Sequence, residues 1–352
     1  MKKFGIFTLL ITVIMALAAC SSTSEKTGAS SSSKIIDVSI DNASYILAGK
    51  NEGVSEDKET KKGLLAVHLK VKNKTDSEVS ISPYDDIKIY DGEKQLSPED
   101  NLSLSDLGID YSETGSIGAE KVKDITVIVN VEKDKKYELG ITPYSDSTDK
   151  AEEVKLALDT KKYAASFDTL NDPAKALTAY IETIYMDKEN ADYEKYVSAD
   201  KAALQEEAKK AFKEKIQDAF TDLKISDKEM DKQYINYKSS LSQKGKIDAE
   251  TVGNAEGKAV VLVQYSNIPL DDLFDLVDDY NEKYYQKTGS YDGGEEYALS
   301  KFDVILDSIE AKDSKDKLEI LMVKKDGKWT VDLSDDYVEE QIVDAFAAGY
   351  GY

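Results

Sequence analysis

Arginine does not occur in this chain of 352 residues; its 46 basic residues are all lysine, set against 69 acidic ones for a formal net charge of -23. The planar guanidinium fork that grips phosphate or carboxylate at two points is therefore missing, and lysine supplies only a point charge. Phosphate readout and phosphoryl transfer lose their usual tool. So acidic a surface also repels polyanions, and nucleic acid is not expected as a partner. Cysteine and histidine each occur once, as Cys20 and His68. A lone thiol forms no internal disulfide, and with Cys20 committed elsewhere neither a thiolate nucleophile nor a zinc–thiolate site remains. His68 lies in an alternating stretch that sends Leu65, Val67, Leu69 and Val71 to one face and His68, Lys70 and Lys72 to the other. That alternation places the imidazole in solvent on a strand and leaves serine or cysteine catalysis without a base.

What is present begins with an address. Lys2 and Lys3 precede an uncharged run over residues 4–19 that ends in Leu17, Ala18, Ala19 and Cys20. The run is shorter than the roughly 20 residues of a spanning helix. Its layout is that of a bacterial secretion signal with a lipobox, and the one cysteine falls where lipidation requires it. Residues 1–19 are expected to be removed as a signal peptide, leaving a diacylglycerol on Cys20 and acyl chains such as palmitate in the membrane. Each buried methylene contributes about 0.8 kcal/mol and a single chain binds only marginally, so two chains give a stable anchor. The expected location is the outer face of the cell membrane, extracytoplasmic and lipid-anchored. No other cofactor is expected.

Residues 20–33 are rich in serine and read as a flexible linker. Residues 34–159 carry short period-two segments at 35–40, 64–72, 79–82, 87–90, 122–131, 137–142 and 154–158, separated by turn residues such as Asn73 and Gly92. Short strands at this spacing predict an antiparallel sandwich. Residues 160–172 read as a second linker. Over 173–352 the period changes: Asp172 and Pro173 mark a helix start, followed by a stripe of Leu177, Tyr180, Ile181, Ile184 and Tyr185. Amphipathic helices are expected over 199–223, around Leu273, Phe274 and Val277, and around Phe302. Strands are expected at 246–252 and 258–265, and a hairpin turning at Asp326 and Gly327, before a terminal helix over 334–348.

The stretch at 71–84, Val-Lys-Asn-Lys-Thr-Asp-Ser-Glu-Val-Ser-Ile-Ser-Pro-Tyr, resembles the strand, Asn-rich turn, strand element of telokin-like, immunoglobulin-like domains in lipoproteins of low-GC Gram-positive bacteria. The resemblance covers roughly 35–158 and implies an immunoglobulin-like sandwich with no activity to carry over. Helices followed by an antiparallel sheet that ends in Lys325-Asp326-Gly327-Lys328-Trp329-Thr330-Val331-Asp332 resemble the nuclear transport factor 2-like, cystatin-related cone. More narrowly, residues 165–335 look like a lipoprotein domain of Firmicutes that follows telokin-like modules and has no assigned function. The fold class expected is thus two domains: an all-β immunoglobulin-like sandwich, then an α+β domain of helices packed on a curved antiparallel sheet.

Chemistry is sparse. The 253–258 segment has the wrong spacing for a phosphate loop and reads as a hairpin turn. With 69 acidic residues, carboxylate pairs at glycosidase separations arise by chance, so none is singled out. Asp271, Asp272, Asp278, Asp279 and the 291–296 loop offer oxygen ligands, but none has the spacing of a helix–loop–helix calcium site, and no metal ligands are assigned. Tyrosine is the exception, with 22 against 8 phenylalanines. Tyr280, Tyr284, Tyr285, Tyr291 and Tyr297 cluster in sequence and form the candidate ligand-binding set, since such rings combine apolar area with a hydroxyl.

The leading expectation is a non-catalytic, membrane-anchored lipoprotein that presents an interaction surface for a cell-envelope protein, glycan or small ligand. A carboxylate- or tyrosine-based enzyme in the C-terminal domain is the alternative, and a peptide signal released from residues 11–19 is a second. Replacing Cys20 by Ala should move the protein from the membrane fraction to the soluble extracellular fraction or leave it as unprocessed precursor. Equal fractionation of the two forms, with the Cys20→Ala form cleaved to the same mature length, would refute lipidation.

Overall fold

The computed structural model describes residues 29–49, 61–100, 102, 104, 107–109, 115–145, 152–334 and 336–350. Cys20 and the lipobox residues Leu17, Ala18 and Ala19 lie outside the described residues, as does the candidate peptide signal at 11–19. An N-terminal β-sheet unit is followed by a C-terminal unit of helices plus sheet.

The first unit contains β1 (Ser30–Ser32), β2 (Ile36–Ala48), β3 (Lys62–Asn73), β4 (Val79–Ile81), β5 (Ile87–Asp91), β6 (Lys94–Leu96), β7 (Gly115–Ile117), β8 (Val122–Glu132), β9 (Lys136–Ile141), β10 (Tyr144–Ser145) and β11 (Val154–Asp159). Strands β2, β3 and β8 face the four-stranded sheet β11-β9-β5-β6 across one apolar core. As alternation predicts, Leu65, Val67, Leu69 and Val71 are buried there. The turn after β3 is locked by Asn73, which is fully buried. Its amide donates to the carbonyls of Ser77, Ile117 and Gly118 at 2.7, 2.9 and 3.1 Å, while its oxygen accepts from the Thr75 N–H at 2.8 Å.

The described residues of both expected linkers, 29–33 and 160–172, are more ordered than their composition implies. Ser30–Ser32 pairs with β2, because any backbone can satisfy the open N–H and C=O groups of an edge strand. Residues 160–172 hold a 3-10 turn (Thr160–Tyr163) and helix α1 (Ala164–Asp168), whose Tyr163 and Phe167 join the first core. Phe167 meets Tyr45 edge-to-face at 5.1 Å, and Ser166 Oγ accepts from the Tyr45 N–H at 2.8 Å.

The second unit comprises α2 (Asp172–Ile184), α3 (Asp192–Tyr196), α4 (Lys201–Ala219), α5 (Asp227–Lys244), β12 (Lys246–Ala255), β13 (Lys258–Asn267), α6 (Leu273–Thr288), α7 (Gly294–Leu299), α8 (Phe302–Ser308), β14 (Lys312–Asp313), β15 (Leu318–Lys325), β16 (Lys328–Val331) and α9 (Asp336–Phe346). Helix α5 has no counterpart in the sequence reading, because its polar residues mask the buried Met230, Tyr234, Tyr237 and Leu241. Ser226 caps it by accepting from the Glu229 N–H. The hairpin at Asp326 and Gly327 forms as expected, with φ of 51° and 82°, the paired left-handed geometry that favours glycine second.

The two units share one sheet. Its order is β16-β15-β13-β12-β2-β3-β8, and the junction is the antiparallel pair β12–β2, with Gly253 opposite Ala48 and Asn254 opposite Leu47. A third apolar cluster seals this junction with Ile46, Leu64, Leu104, Leu107 and Ala255. Asn254 donates to the Leu170 carbonyl at 2.9 Å, and Thr251 accepts from the Ala174 N–H at 3.0 Å. His68 belongs here too. Instead of facing open solvent it is half-buried, within 3.0 Å of Thr126 Oγ1 and 3.1 Å of Glu256 Oε1 on the β12–β13 turn.

Much of the tyrosine excess is core. Tyr180, Tyr185 and Tyr237 are among the largest fully buried side chains, and burial pushes the Tyr185 and Tyr237 hydroxyls well above the usual phenol range. Phe212 on α4 packs between Tyr234 and Tyr237 of α5, at ring distances of 5.2 and 5.1 Å. Phe212→Ala should cost about 3–5 kcal/mol of unfolding free energy. Urea unfolding that showed a loss under ~1 kcal/mol would mean that α4 and α5 do not pack as described.

Candidate functional site

Helix α6 buries Leu273 and Val277, packs Leu276 and Tyr280 partly against the same core, and leaves its outer face wet. It stops at Gly289, whose φ of 74° forms the left-handed C-terminal turn, with its N–H bonded to the Tyr285 carbonyl at 2.7 Å. The chain then reverses through 290–293 into α7. Gly293 has φ 90°, and a Cβ there would sit 3.1 Å from the Tyr284 hydroxyl, so glycine suits the turn on both counts.

The structure brings the five predicted tyrosines together as two groups. Tyr280 and Tyr284 lie 6.2 and 5.5 Å from Tyr297, between ring centroids. Lysines surround this group: Lys283 lies 4.1 Å over the Tyr280 ring, and Lys287 Nζ donates to Tyr297 Oη at 3.0 Å. The Lys287 hydrogen bond lowers the Tyr297 phenol below its ordinary pKa. Tyr285 and Tyr291 form the second group, stacked at 4.4 Å and 13°. Tyr291 Oη donates to Glu282 Oε2 at 2.9 Å. That bond, with burial and the nearby Glu282, Tyr285 and Asp278 charges, raises the Tyr291 phenol. One helix end thus carries a basic tyrosine group and an acidic one.

Beside the acidic group lies a cleft of about 520 Å³ between the end of α4, the 221–223 loop, α6 and the start of α7. Of the five tyrosines, Tyr291 alone lines it. Its apolar wall is Ala219, Leu223, Phe274 and Val277, and its polar wall includes Asp222, Asp278, Asp292 and Glu296. Phe274, expected in the core, is 53% exposed, and Tyr291 is 59% exposed. The correction has a geometric cause. Leu273 and Val277 are one turn apart and define the buried stripe, while Phe274 points about 100° away from Leu273. A large ring next to a complete apolar stripe was the available signal. Asp278 and the 291–296 loop converge on this cleft together with Asp222, which residue spacing alone does not reveal.

Glu295 holds the cleft together. Its carboxylate accepts from the backbone N–H groups of Thr221, Asp222 and Leu223 at 3.1, 3.1 and 2.6 Å, and from the Thr221 hydroxyl at 3.3 Å. Successive N–H groups in a turn form an anion-binding concavity, here filled by the chain's own carboxylate. Among the described residues no three His, Cys, Asp or Glu side chains gather as a metal-binding group. The other cleft carboxylates are instead distributed around the rim.

Sequence comparison places a family described as a domain of unknown function, DUF5105, over residues 163–347, and a second such domain, DUF4352, over 26–151. The chain is 29% identical over 360 residues, 98% of both sequences, to a Bacillus subtilis (strain 168) protein named "Uncharacterized lipoprotein YcdA". The crystal structure of the ycdA lipoprotein superposes with a TM-score of 0.66 at 28% identity, covering 90% of this chain and 98% of that one. A Staphylococcus aureus lipoprotein structure overlaps 38% of this chain and 90% of its own at 17% identity and a TM-score of 0.22. Among the described residues no helix is long and apolar enough to cross a membrane.

Replacing Glu295 by Gln should speed amide exchange at 221–223 about tenfold, equivalent to roughly 1.4 kcal/mol. That is less than the ~1.5–3 kcal/mol of buried charged hydrogen bonds, because solvent reaches this one. Unchanged exchange would mean that the carboxylate does not hold the loop.

Proposed function

Because the chain belongs to the DUF5105 family and is similar along nearly its whole length to a named lipoprotein, we propose that it is a lipid-anchored, extracytoplasmic binding protein whose ligand site is the α4–α6–α7 cleft. Diacylglycerol on Cys20 holds it to the outer face of the membrane. The first unit is an immunoglobulin-like sandwich, a reading supported by its facing antiparallel sheets and the Asn73-locked turn. The second is a nuclear transport factor 2-like cone enlarged by α6, α7 and α8, supported by helices packed against the β12-β13-β15-β16 sheet. The sandwich acts as a spacer between membrane and ligand site.

One observation carries the binding reading: two large exposed rings, Phe274 and Tyr291, stand at a concave site with polar side chains around it. Ligand sites of about 300–1,000 Å³ with apolar walls and a few placed polar groups are the usual form of small-molecule recognition. Asp222, Asp278, Asp292 and Glu296 are exposed, which favours recognition over acid–base catalysis by desolvated carboxylates.

Saturation-transfer NMR on the full-length lipoprotein in neutral nanodiscs, screened against peptides, oligosaccharides and amines, tests this. At least one class should give signals that Phe274→Ala reduces about fivefold or more, a loss near 1 kcal/mol. The ligand should emerge chemically unchanged. Signals insensitive to Phe274, or turnover of the ligand, would refute the reading.

A further inference from the structure

The basic tyrosine group at the end of α6 stands apart from the proposed ligand site: none of Tyr280, Tyr284 and Tyr297 lines the cleft. Tyr297 sits on α7, half-buried, with its ring 6.2 Å from Tyr280 and 5.5 Å from Tyr284 between centroids. Its hydroxyl oxygen accepts from Lys287 Nζ at 3.0 Å, and the same ammonium lies 5.1 Å from the ring centroid. Lys283, one turn earlier on α6, stands 4.1 Å over Tyr280, and Lys301 follows α7. Among the described residues none of these three lysines forms an ion pair with a carboxylate.

An ammonium that donates to a phenol oxygen stabilises the phenolate more than the phenol, and unpaired positive charges nearby act in the same direction. The Lys287 hydrogen bond, with the charges of Lys287, Lys301 and Lys283, outweighs desolvation and holds the Tyr297 phenol below its ordinary pKa. The opposite arrangement has the opposite effect. Tyr90 and Tyr291 donate to Glu153 and Glu282, and those hydrogen bonds raise both phenols. A second lysine–tyrosine pair differs in its surroundings: Lys195 donates to Tyr196 at 2.6 Å, but Asp192 and Asp172 face that lysine, and Asp172 also pairs with Lys175 at 2.8 Å.

We infer that Tyr297 is a covalent modification site for activated acyl donors, with its Lys287-held oxygen as the nucleophile. The oxygen attacks the acyl carbon, the bond from that carbon to the leaving group breaks, and the phenolic proton ends on the leaving group. An aryl ester is the product. A side chain made nucleophilic by a neighbouring cation is a recurring device of covalent chemistry. Nucleophilicity falls along with pKa, so only part of the gain in phenolate population is kept as rate. Exposure alone gives a different order of reaction, because Tyr144, Tyr291 and Tyr337 are 62, 59 and 62% exposed while Tyr297 is half-buried.

Limiting N-acetylimidazole, applied at neutral pH to the full-length protein in phosphatidylcholine nanodiscs and read by peptide mass spectrometry, tests the inference. Acetyl goes to the phenol and the proton to the released imidazole. Hydroxylamine reverses aryl acetates and leaves lysine amides, which separates the two products. Tyr297 should acetylate roughly fivefold faster than Tyr144, Tyr291 or Tyr337. Lys287 is exposed, so replacing it leaves the core untouched. Lys287→Met should bring Tyr297 down to the rate of the other three, Lys287→Arg should keep most of the excess, and Tyr196→Phe should leave it unchanged. In a spectrophotometric titration the first phenol to ionise should be missing from Tyr297→Phe. Acetylation in order of exposure, a Tyr297 rate insensitive to Lys287→Met, or an unchanged titration of Tyr297→Phe would overturn the inference.

Discussion

Antiparallel pairing of β12 with β2 ties the N-terminal β-sheet unit to the C-terminal unit of helices plus sheet. Two units that differ in secondary-structure content would otherwise each expose a sheet edge, the most association-prone feature a β protein can present. Joining the edges at two register positions, Gly253 with Ala48 and Asn254 with Leu47, makes one continuous sheet of the two. With one cysteine in the chain, no internal disulfide can reinforce the junction. Apolar packing around Leu64, Leu107 and Ala255 does so, with Asn254, Thr251 and His68 fixing register and orientation. Gly253 fits this role, because a Cβ there would press to 3.2 Å from Leu107.

From that sheet the second core is built outward. Helices α2, α4 and α5 bury tyrosines and phenylalanines against β12, β13, β15 and β16, and α6 docks by Leu273 and Val277, flanked by the partly buried Leu276 and Tyr280. A helix held by so narrow a stripe leaves Phe274, Asp278 and Asn281 free to form a wall. The opposite wall is the 221–223 loop, tied back by Glu295. The cleft therefore arises from an incomplete packing of α6, and its acidity is local selection from an acidic surface: lysines cluster at Tyr280 and Tyr297 on the same helical region and not inside it.

The fold was more legible in the sequence than the site. Alternation at 64–72 and 122–131 located strands correctly, and Asp326-Gly327 located a hairpin, because each signal is local and period-specific. Helix α5 escaped, since Tyr and Met supply its apolar face among many charges. The described residues of the two linkers are ordered for a related reason: composition reports what a segment offers to a core, not whether a neighbouring edge or ring will order it. Ser30–Ser32 is ordered by backbone pairing and Phe167 by Tyr45. At the proposed site, the tyrosine cluster lies at the same helix end as the cleft, but four of its five members lie outside the lining. Glu295 reaches the 221–223 amides through tertiary approach of segments some seventy residues apart, a relation that periodicity cannot encode.

The proposed ligand site between α4, α6 and α7 is tested most directly by chemical-shift mapping with whichever ligand the saturation-transfer screen returns. Shifts concentrated at Phe274, Tyr291 and the 221–223 amides are the predicted result. Shifts elsewhere, with these residues unchanged, would contradict it.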